Sequence, residues 1–248
     1  PAMLICHHGV PMCGGILHAI NTRLDADSIA LQLDHAVSKI LFVDREFSEV
    51  AQQAVAKAAC SPLIIDYDDP DYLDDAPKTK GPLIGTTEWK SFLETGDPNF
   101  EWRRPPDEWD AITLNYTSGT TGVPKGVVYH HRACALMAYN NTIHADVSQH
   151  SVYLWSLPMF HCNGWCYPWT LALTGSTHIC LRWVRAKDMY RLIAEHNVSH
   201  LCGAPIVMSV LLNAEENEKL SFEQSVNFNV AAAPPPESVL AAMGDAGF

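Results

Sequence analysis

Along most of the chain, short apolar runs that read as strands alternate with amphipathic stretches that read as helices. That alternation restricts the fold more than any other feature. Residues 15–20 and 39–43 read as strands, and between them residues 26–37 place Ile29, Leu33, Ala36 and Val37 on one helical face, with Asp25 or Asp27 as cap. An Ala-rich helix candidate at 47–59 leads into a strand at 62–66. Strand–helix–strand order marks parallel α/β units, in which a helical crossover returns the chain to the same edge. The order resumes after Asp107, with strands at 111–116, 152–157, 177–181, 199–202 and 226–231. Helices are expected at 131–143, 186–196, 206–216 and 237–243. The fold class expected is therefore α/β with parallel sheets.

Between residues 67 and 106 the rhythm breaks. Asp66, Asp68, Asp69, Asp71, Asp74 and Asp75 crowd a proline-containing stretch that reads as a solvated excursion. The glycine and terminal glutamate of a calcium loop are missing from it, so it is not read as a metal site. Residues 87–95 suggest a short helix, and Arg103-Arg104-Pro105-Pro106 a linker. This divides the chain into a first α/β subdomain over residues 1–106 and a second over residues 107–248. The first residues enter mid-pattern and the last follow a helix-like run, so both ends read as truncations.

Charge and cysteine usage narrow the function classes. With 28 acidic against 16 basic side chains, a net charge of −12 and no run of Lys or Arg, the chain does not suit nucleic acid. No apolar run is long enough to span a bilayer as a helix, and the first residues do not resemble a secretory signal. The eight cysteines include no Cys-x-x-Cys pair, and most sit among apolar neighbours. That pattern favours reduced thiols in the cytoplasm or an organelle over a disulfide framework. Cys162 and Cys166 are read as packing residues, since further spaced metal ligands are lacking.

The segment from Tyr116 to Val127 carries the chemistry. Gly119, Gly122 and Gly126 allow tight turns and close approach of backbone N–H groups to an anion. Thr117, Ser118, Thr120 and Thr121 add hydroxyl donors, and Lys125 adds a compact positive charge. Together they describe a cradle for a polyphosphate. The spacing is neither Gly-x-x-x-x-Gly-Lys-Ser/Thr nor Gly-x-Gly-x-x-Gly, which disfavours P-loop kinases and dinucleotide-binding dehydrogenases.

This twelve-residue string resembles the signature loop of the adenylate-forming superfamily, which includes acyl-CoA synthetases, luciferases and peptide-synthetase adenylation domains. Leu157-Pro158-Met159-Phe160-His161-Cys162-Asn163-Gly164-Trp165-Cys166 is similar to the family's second motif, whose aromatic position borders the acyl pocket; here that position is His161. The resemblance implies a substrate pocket formed by His161, Asn163, Gly164 and Trp165, with Trp165 as a candidate gate and Tyr167 narrowing the tunnel. Val230-Ala231-Ala232-Ala233-Pro234-Pro235-Pro236 is similar to the family's adenine-flanking segment, with Ala where relatives often have Gly. Ala231, Ala232, Ala233 and Pro234 would flank the base, since small side chains and a rigid turn suit a planar ring. The strings Leu17-His18-Ala19-Ile20-Asn21-Thr22-Arg23-Leu24 and Asp44-Arg45-Glu46-Phe47 resemble acyl-CoA synthetases acting on medium-chain, short aromatic or methylthiopropionate-type acids.

The resemblance implies layered parallel-sheet subdomains and a two-step reaction with ATP, Mg²⁺ and CoA. A carboxylate attacks the α-phosphorus of ATP, and a thiol then displaces AMP. In that scheme Ser118, Gly119, Thr120, Thr121 and Gly122 hold phosphates, Thr117 faces Mg²⁺, Lys125 screens the leaving pyrophosphate, and Lys125 and His161 are the candidate catalytic groups. The family's Tyr-Gly-x-Thr-Glu string, its ribose-binding Asp and its C-terminal lysine are not found, so the chain is expected to be inactive alone. Open alternatives are a non-CoA acceptor and a non-catalytic nucleotide-binding paralogue, with a homodimer among the assemblies open to the parent.

Overall fold

The computed structural model describes residues 1–72, 76–117 and 124–248. The chain begins with α1 (Ala2–Met12) and β1 (Leu17–His18), then α2 (Ala26–His35), β2 (Ile40–Asp44), a 3-10 turn (Arg45–Phe47) and α3 (Ser48–Lys57). β3 (Leu63–Tyr67), β4 (Thr87–Glu88), α4 (Trp89–Glu94), β5 (Ala111–Tyr116), β6 (Gly126–His130) and α5 (His131–His144) follow. The remainder runs β7 (Val152–Leu154), α6 (Cys162–Trp165), α7 (Tyr167–Thr174), β8 (Thr177–Ile179), α8 (Ala186–His196), β9 (His200–Gly203), α9 (Pro205–Leu212), β10 (Asn227–Val230) and α10 (Glu237–Asp245).

These strands form three sheets, in the orders β1-β5-β6, β2-β3-β4 and β10-β9-β7-β8. The second and third are wholly parallel, whereas β5 and β6 form an antiparallel hairpin. β1 pairs with β5, so one sheet joins segments from both sides of residue 106.

The third sheet is buried on both faces, and strand alternation shows how. Leu154 and Leu201 face one way, into a core with Met189 and Ile193 of α8, Leu211 of α9 and Met243 of α10. Tyr153, Trp155 and Cys202 face the other way, onto Tyr167 and Leu171 of α7. Each fully buried apolar side chain here contributes about 1.5–3 kcal/mol relative to exposure. In the second sheet's layer, Ala26, Ile29 and Leu33 of α2 pack on Ala54 of α3. Asp25 is the cap of α2, accepting from Ser28 N at 2.8 Å.

Several sequence expectations change. α1 and α7 had not been expected, because α1 mixes apolar residues with His7 and His8 and α7 is apolar nearly all round. The strand expected at 15–20 contracts to Leu17–His18, that at 152–157 to Val152–Leu154, and the helix expected at 206–216 ends at Leu212. The stretch 87–95 is β4 followed by α4.

The acidic excursion is only partly solvated. Asp66 is buried and accepts from Ile84 N and Gly85 N, while Asp68 pairs with Arg45 at 2.8 Å and Lys80 at 2.5 Å. Asp74 and Asp75 lie outside the described residues, among which no metal-binding cluster of His, Cys, Asp or Glu occurs. All eight cysteines are free thiols, four of them buried. Among the described residues no helix is long and apolar enough to cross a membrane.

Arg182, just after β8, clamps the second sheet to the third. Its guanidinium bonds Asp44 at 2.8 and 2.9 Å and Glu46 at 3.0 Å, and also pairs with Asp69. Tyr72 and Trp183 lie 4.7 and 5.2 Å from the cation. Burial opposes its charge, but the carboxylates of Asp44, Asp69 and Glu46 outweigh that and raise its pKa. Arg182→Ala would leave three poorly solvated carboxylates facing one another. It should lower stability by about 2–4 kcal/mol in urea unfolding, and a loss below about 1 kcal/mol would mean that the clamp is not structural.

Candidate active site

Brought to one end of the third sheet are Trp155 and Ser156 after β7, Gly203 ending β9, and Ala231 after β10. The C-terminal ends of parallel strands are where open α/β sheets bind ligands. Ser156 Oγ donates to Cys202 O at 2.8 Å, and Ala231 N donates to Gly203 O at 3.3 Å. A Cβ on Gly203 would lie 2.9 Å from Val207, so the close packing of β9 on α9 needs its missing side chain. Ala231, Ala232, Ala233 and Pro234 are all exposed, forming a lip of small side chains beyond β10. Ala232 sits at φ +78°, a left-handed conformation that glycine adopts without strain.

Of the nucleotide-loop candidates, Thr117 directly follows β5 and Lys125 directly precedes β6. Thr117 N donates to Lys125 O at 3.1 Å, closing the base of the loop, and both residues are exposed. Ser118, Gly119, Thr120, Thr121 and Gly122 lie outside the described residues. Tyr116, at the root of the loop, shares a 2.6 Å hydrogen bond with His35 Nδ1 at the end of α2, and its ring packs on His18.

The second motif contains the longest run of positive φ among the described residues. Cys162, Asn163, Gly164, Trp165 and Cys166 all have positive φ, between 42° and 63°, so α6 is a left-handed turn. Outside glycine, each such residue costs about 1 kcal/mol or more, so the surroundings must hold the turn in place. Asn141 Nδ2 donates to Trp165 O at 3.0 Å, and Thr170 Oγ1 donates to Cys166 O at 3.0 Å. Gly164 lies against Trp155, where an added Cβ would come within 2.7 Å of the indole.

The four residues expected to line the pocket have different surroundings. His161 is exposed, its ring 4.6 Å from Phe160, and its pKa is lowered first by burial and then by the charge of Arg23. Trp165 is half-buried against the core that contains Trp155 and Leu157. Asn163 is fully buried. It accepts from Thr113 Oγ1 at 2.8 Å through Oδ1, and its Nδ2 donates to His7 Nε2 at 3.3 Å. Tyr167 is a core residue, stacked on Tyr153 at 4.7 Å. Sequence reasoning missed His7 and gave Arg23 no role of its own. His7 could not have been found from spacing, because it comes from a different helix.

Two tests follow from this geometry. Ala232→Gly should stabilise the protein by about 1 kcal/mol by relieving the left-handed alanine, whereas Gly164→Ala should destabilise it by about 2 kcal/mol or more; thermal unfolding of both variants checks the pair. The second test concerns pH. Burial lowers His7 to about 4, and the same cause lowers His178 to about 4. The folded state therefore holds both neutral where the unfolded chain, with His near 6.5, takes up protons. Their stabilisation is complete above about pH 6.5 and is lost as pH falls toward about 4. Urea unfolding at pH 7 and pH 5 should show this fall, with His7→Gln reducing it; a flat profile would mean that neither histidine is held neutral.

Comparison with known proteins gives the same architecture. The AMP-binding enzyme family matches residues 1–247. The peroxisomal acetate/butyrate–CoA ligase of Arabidopsis thaliana is 45% identical over 260 residues, covering 100% of this chain and 45% of that protein. An acetate–CoA ligase of Humulus lupulus is 42% identical, with the same coverage. The chain thus spans a little under half the length of these relatives. Among solved structures, the o-succinylbenzoate–CoA synthetase of Bacillus subtilis in complex with ATP and magnesium aligns with a TM-score of 0.76 at 20% identity, covering 99% of this chain and 45% of that one. The N-terminal domain of FACL13 from Mycobacterium tuberculosis aligns at 0.75 and 24%, covering 96% and 56%. The sheets, crossovers and family match leave one conclusion: this chain belongs to the AMP-binding enzymes.

Proposed function

We propose that the complete polypeptide carrying this chain activates a short carboxylic acid with ATP and passes the acyl group to CoA. In the first step a carboxylate oxygen bonds to the α-phosphorus and pyrophosphate leaves. In the second, a thiol sulfur bonds to the acyl carbon, AMP leaves, and the thiol proton goes to solvent or a base. The observation that carries this reading is the family match along residues 1–247, together with acid–CoA ligases as relatives at 42–45% identity. Those relatives are named for acetate, butyrate and, in a third case, 2-methylpropanoate, which favours a short acid. Two of the relatives are named as peroxisomal, which favours an organellar setting over the cytoplasm.

The exposed lip of Ala231, Ala232, Ala233 and Pro234 has the small side chains that suit a planar base. Ser118, Gly119, Thr120, Thr121 and Gly122 would hold the phosphates, and Lys125 would balance charge on the departing pyrophosphate. Because the carboxylate is already a nucleophile, positioning and charge neutralisation are the main demands on the protein. Thr117 is an exposed hydroxyl at the loop's base, and such a neutral oxygen suits Mg²⁺, which binds through few protein ligands plus phosphate and water. When bound, the ion would neutralise phosphate charge. His161, with Arg23 close enough to depress its pKa, would border the carboxylate. Trp165 would limit the depth of the acyl pocket. In this scheme residues 1–106 brace the loop's strand and residues 107–248 carry the site.

Acid-dependent exchange of labelled pyrophosphate into ATP tests the reading. The complete polypeptide should show it with short acids, and the 248-residue chain alone should give only background. Lys125→Ala and His161→Ala should each lower exchange by about ten- to a hundredfold. A folded complete polypeptide with no acid-dependent exchange would exclude acid activation, and exchange without CoA-dependent product would point to another acceptor.

A further inference from the structure

A buried polar chain links three elements that are distant in sequence. His7 Nδ1 donates to Met3 O at 2.7 Å within α1, and its Nε2 accepts from Asn163 Nδ2 in the left-handed turn. Asn163 Oδ1 accepts from Thr113 Oγ1 on β5, which in turn accepts from Asn115 Nδ2 at 3.4 Å. The donors run in one direction along this chain, which fixes both the amide orientation of Asn163 and the tautomer of His7. His7, Thr113 and Asn163 all have 0% exposure.

We propose that His7 and Asn163 act together as positioning residues, holding the left-handed turn that carries Trp165 and follows His161, and tying it through Thr113 to the strand that feeds the nucleotide loop. The acid-activation reading underlies only the kinetic half of this proposal. The turn is strained. Cys162, Trp165 and Cys166 have no intrinsic preference for positive φ, and the turn's own backbone supplies Trp165 N to His161 O at 3.3 Å and Cys166 N to Asn163 O at 3.0 Å. Fixed side-chain partners must make up the difference, and Asn163 is the residue of the turn whose side chain has partners on two other elements.

Asn163 is consequently not a substrate ligand. To meet a substrate it would have to leave a buried imidazole and a buried hydroxyl unpaired, which is the costly way to lose a hydrogen bond. Alternation along β5 places Thr113, Asn115 and Thr117 on one face, so the chain of hydrogen bonds ends one step of that face short of Thr117. The acyl-pocket motif and the root of the nucleotide loop are thereby held in one register.

The test uses His7→Leu, His7→Gln and Thr113→Val in the complete polypeptide. Thr113→Val is close in shape and suits a strand, so it should fold even if His7→Leu does not. Two readouts are taken: hydrogen exchange at the amides of residues 161–166, and KM for the acid against KM for ATP. His7→Leu and Thr113→Val should speed exchange in the turn by about tenfold or more and raise the acid KM by a similar factor, with the ATP KM unchanged. His7→Gln, which keeps a hydrogen-bonding side chain, should restore most of both. Unchanged exchange in the turn overturns the proposal, as does loss of protection spread evenly through the chain with both KM values rising together. A wild type with no acid-dependent turnover would count against acid activation, while exchange in the turn would still decide the positioning claim.

Discussion

The parallel sheet β10-β9-β7-β8, apolar on both faces, is the constraint from which the rest of the molecule follows. Leu154 and Leu201 on one face and Tyr153, Trp155 and Cys202 on the other leave no solvated side, so helices must cover both. Parallel strands also bring their C-terminal ends to one edge. Trp155, Gly203 and Ala231 therefore gather there from positions far apart in the sequence. The candidate site is a consequence of the packing.

Strain at that edge is tolerated because rigid neighbours surround it. The left-handed turn from Cys162 to Cys166 rests on Trp155, which is fixed by its own place in the sheet and by a 3.0 Å hydrogen bond from Nε1 to His178. Ala232 shows the same pattern on a smaller scale, with a non-glycine residue at φ +78° just past β10. Sparsely populated conformations persist where the fold over-determines them, and such places are often functional. The Arg182 clamp adds a second kind of rigidity, keeping the sheet that holds Asp44 against the one that holds the candidate site.

The parts of the fold legible in the sequence were those with a strong local pattern. α8 appears at the expected residues 186–196 because Met189, Tyr190 and Ile193 give it a clear buried stripe, and β5 fills the expected 111–116. α7 was hidden: its apolar residues run nearly all round the helix, so no stripe marks its buried side, though Pro168 near its start and Gly175 at φ +66° after it were usable punctuation. The solvated reading of the acidic stretch held for Asp68 and Asp71 but not for Asp66 and Asp69, whose partners are backbone amides and an arginine far along the chain. For the candidate site, the composition of the loop and second motif singled out the segment after β5 and the left-handed turn from Cys162 to Cys166. The sequence could not reveal that Asn163 faces inward, since its partners His7 and Thr113 come from other elements.

The most direct measurement is a crystal structure of the complete polypeptide with a non-hydrolysable acyl-adenylate analogue. The account places the adenine against Ala231–Pro234 and the acyl group beside His161 and Trp165, with Asn163 still bonded to His7 and Thr113. An analogue bound away from the C-terminal ends of β7, β9 and β10, or contacted directly by Asn163, would contradict it.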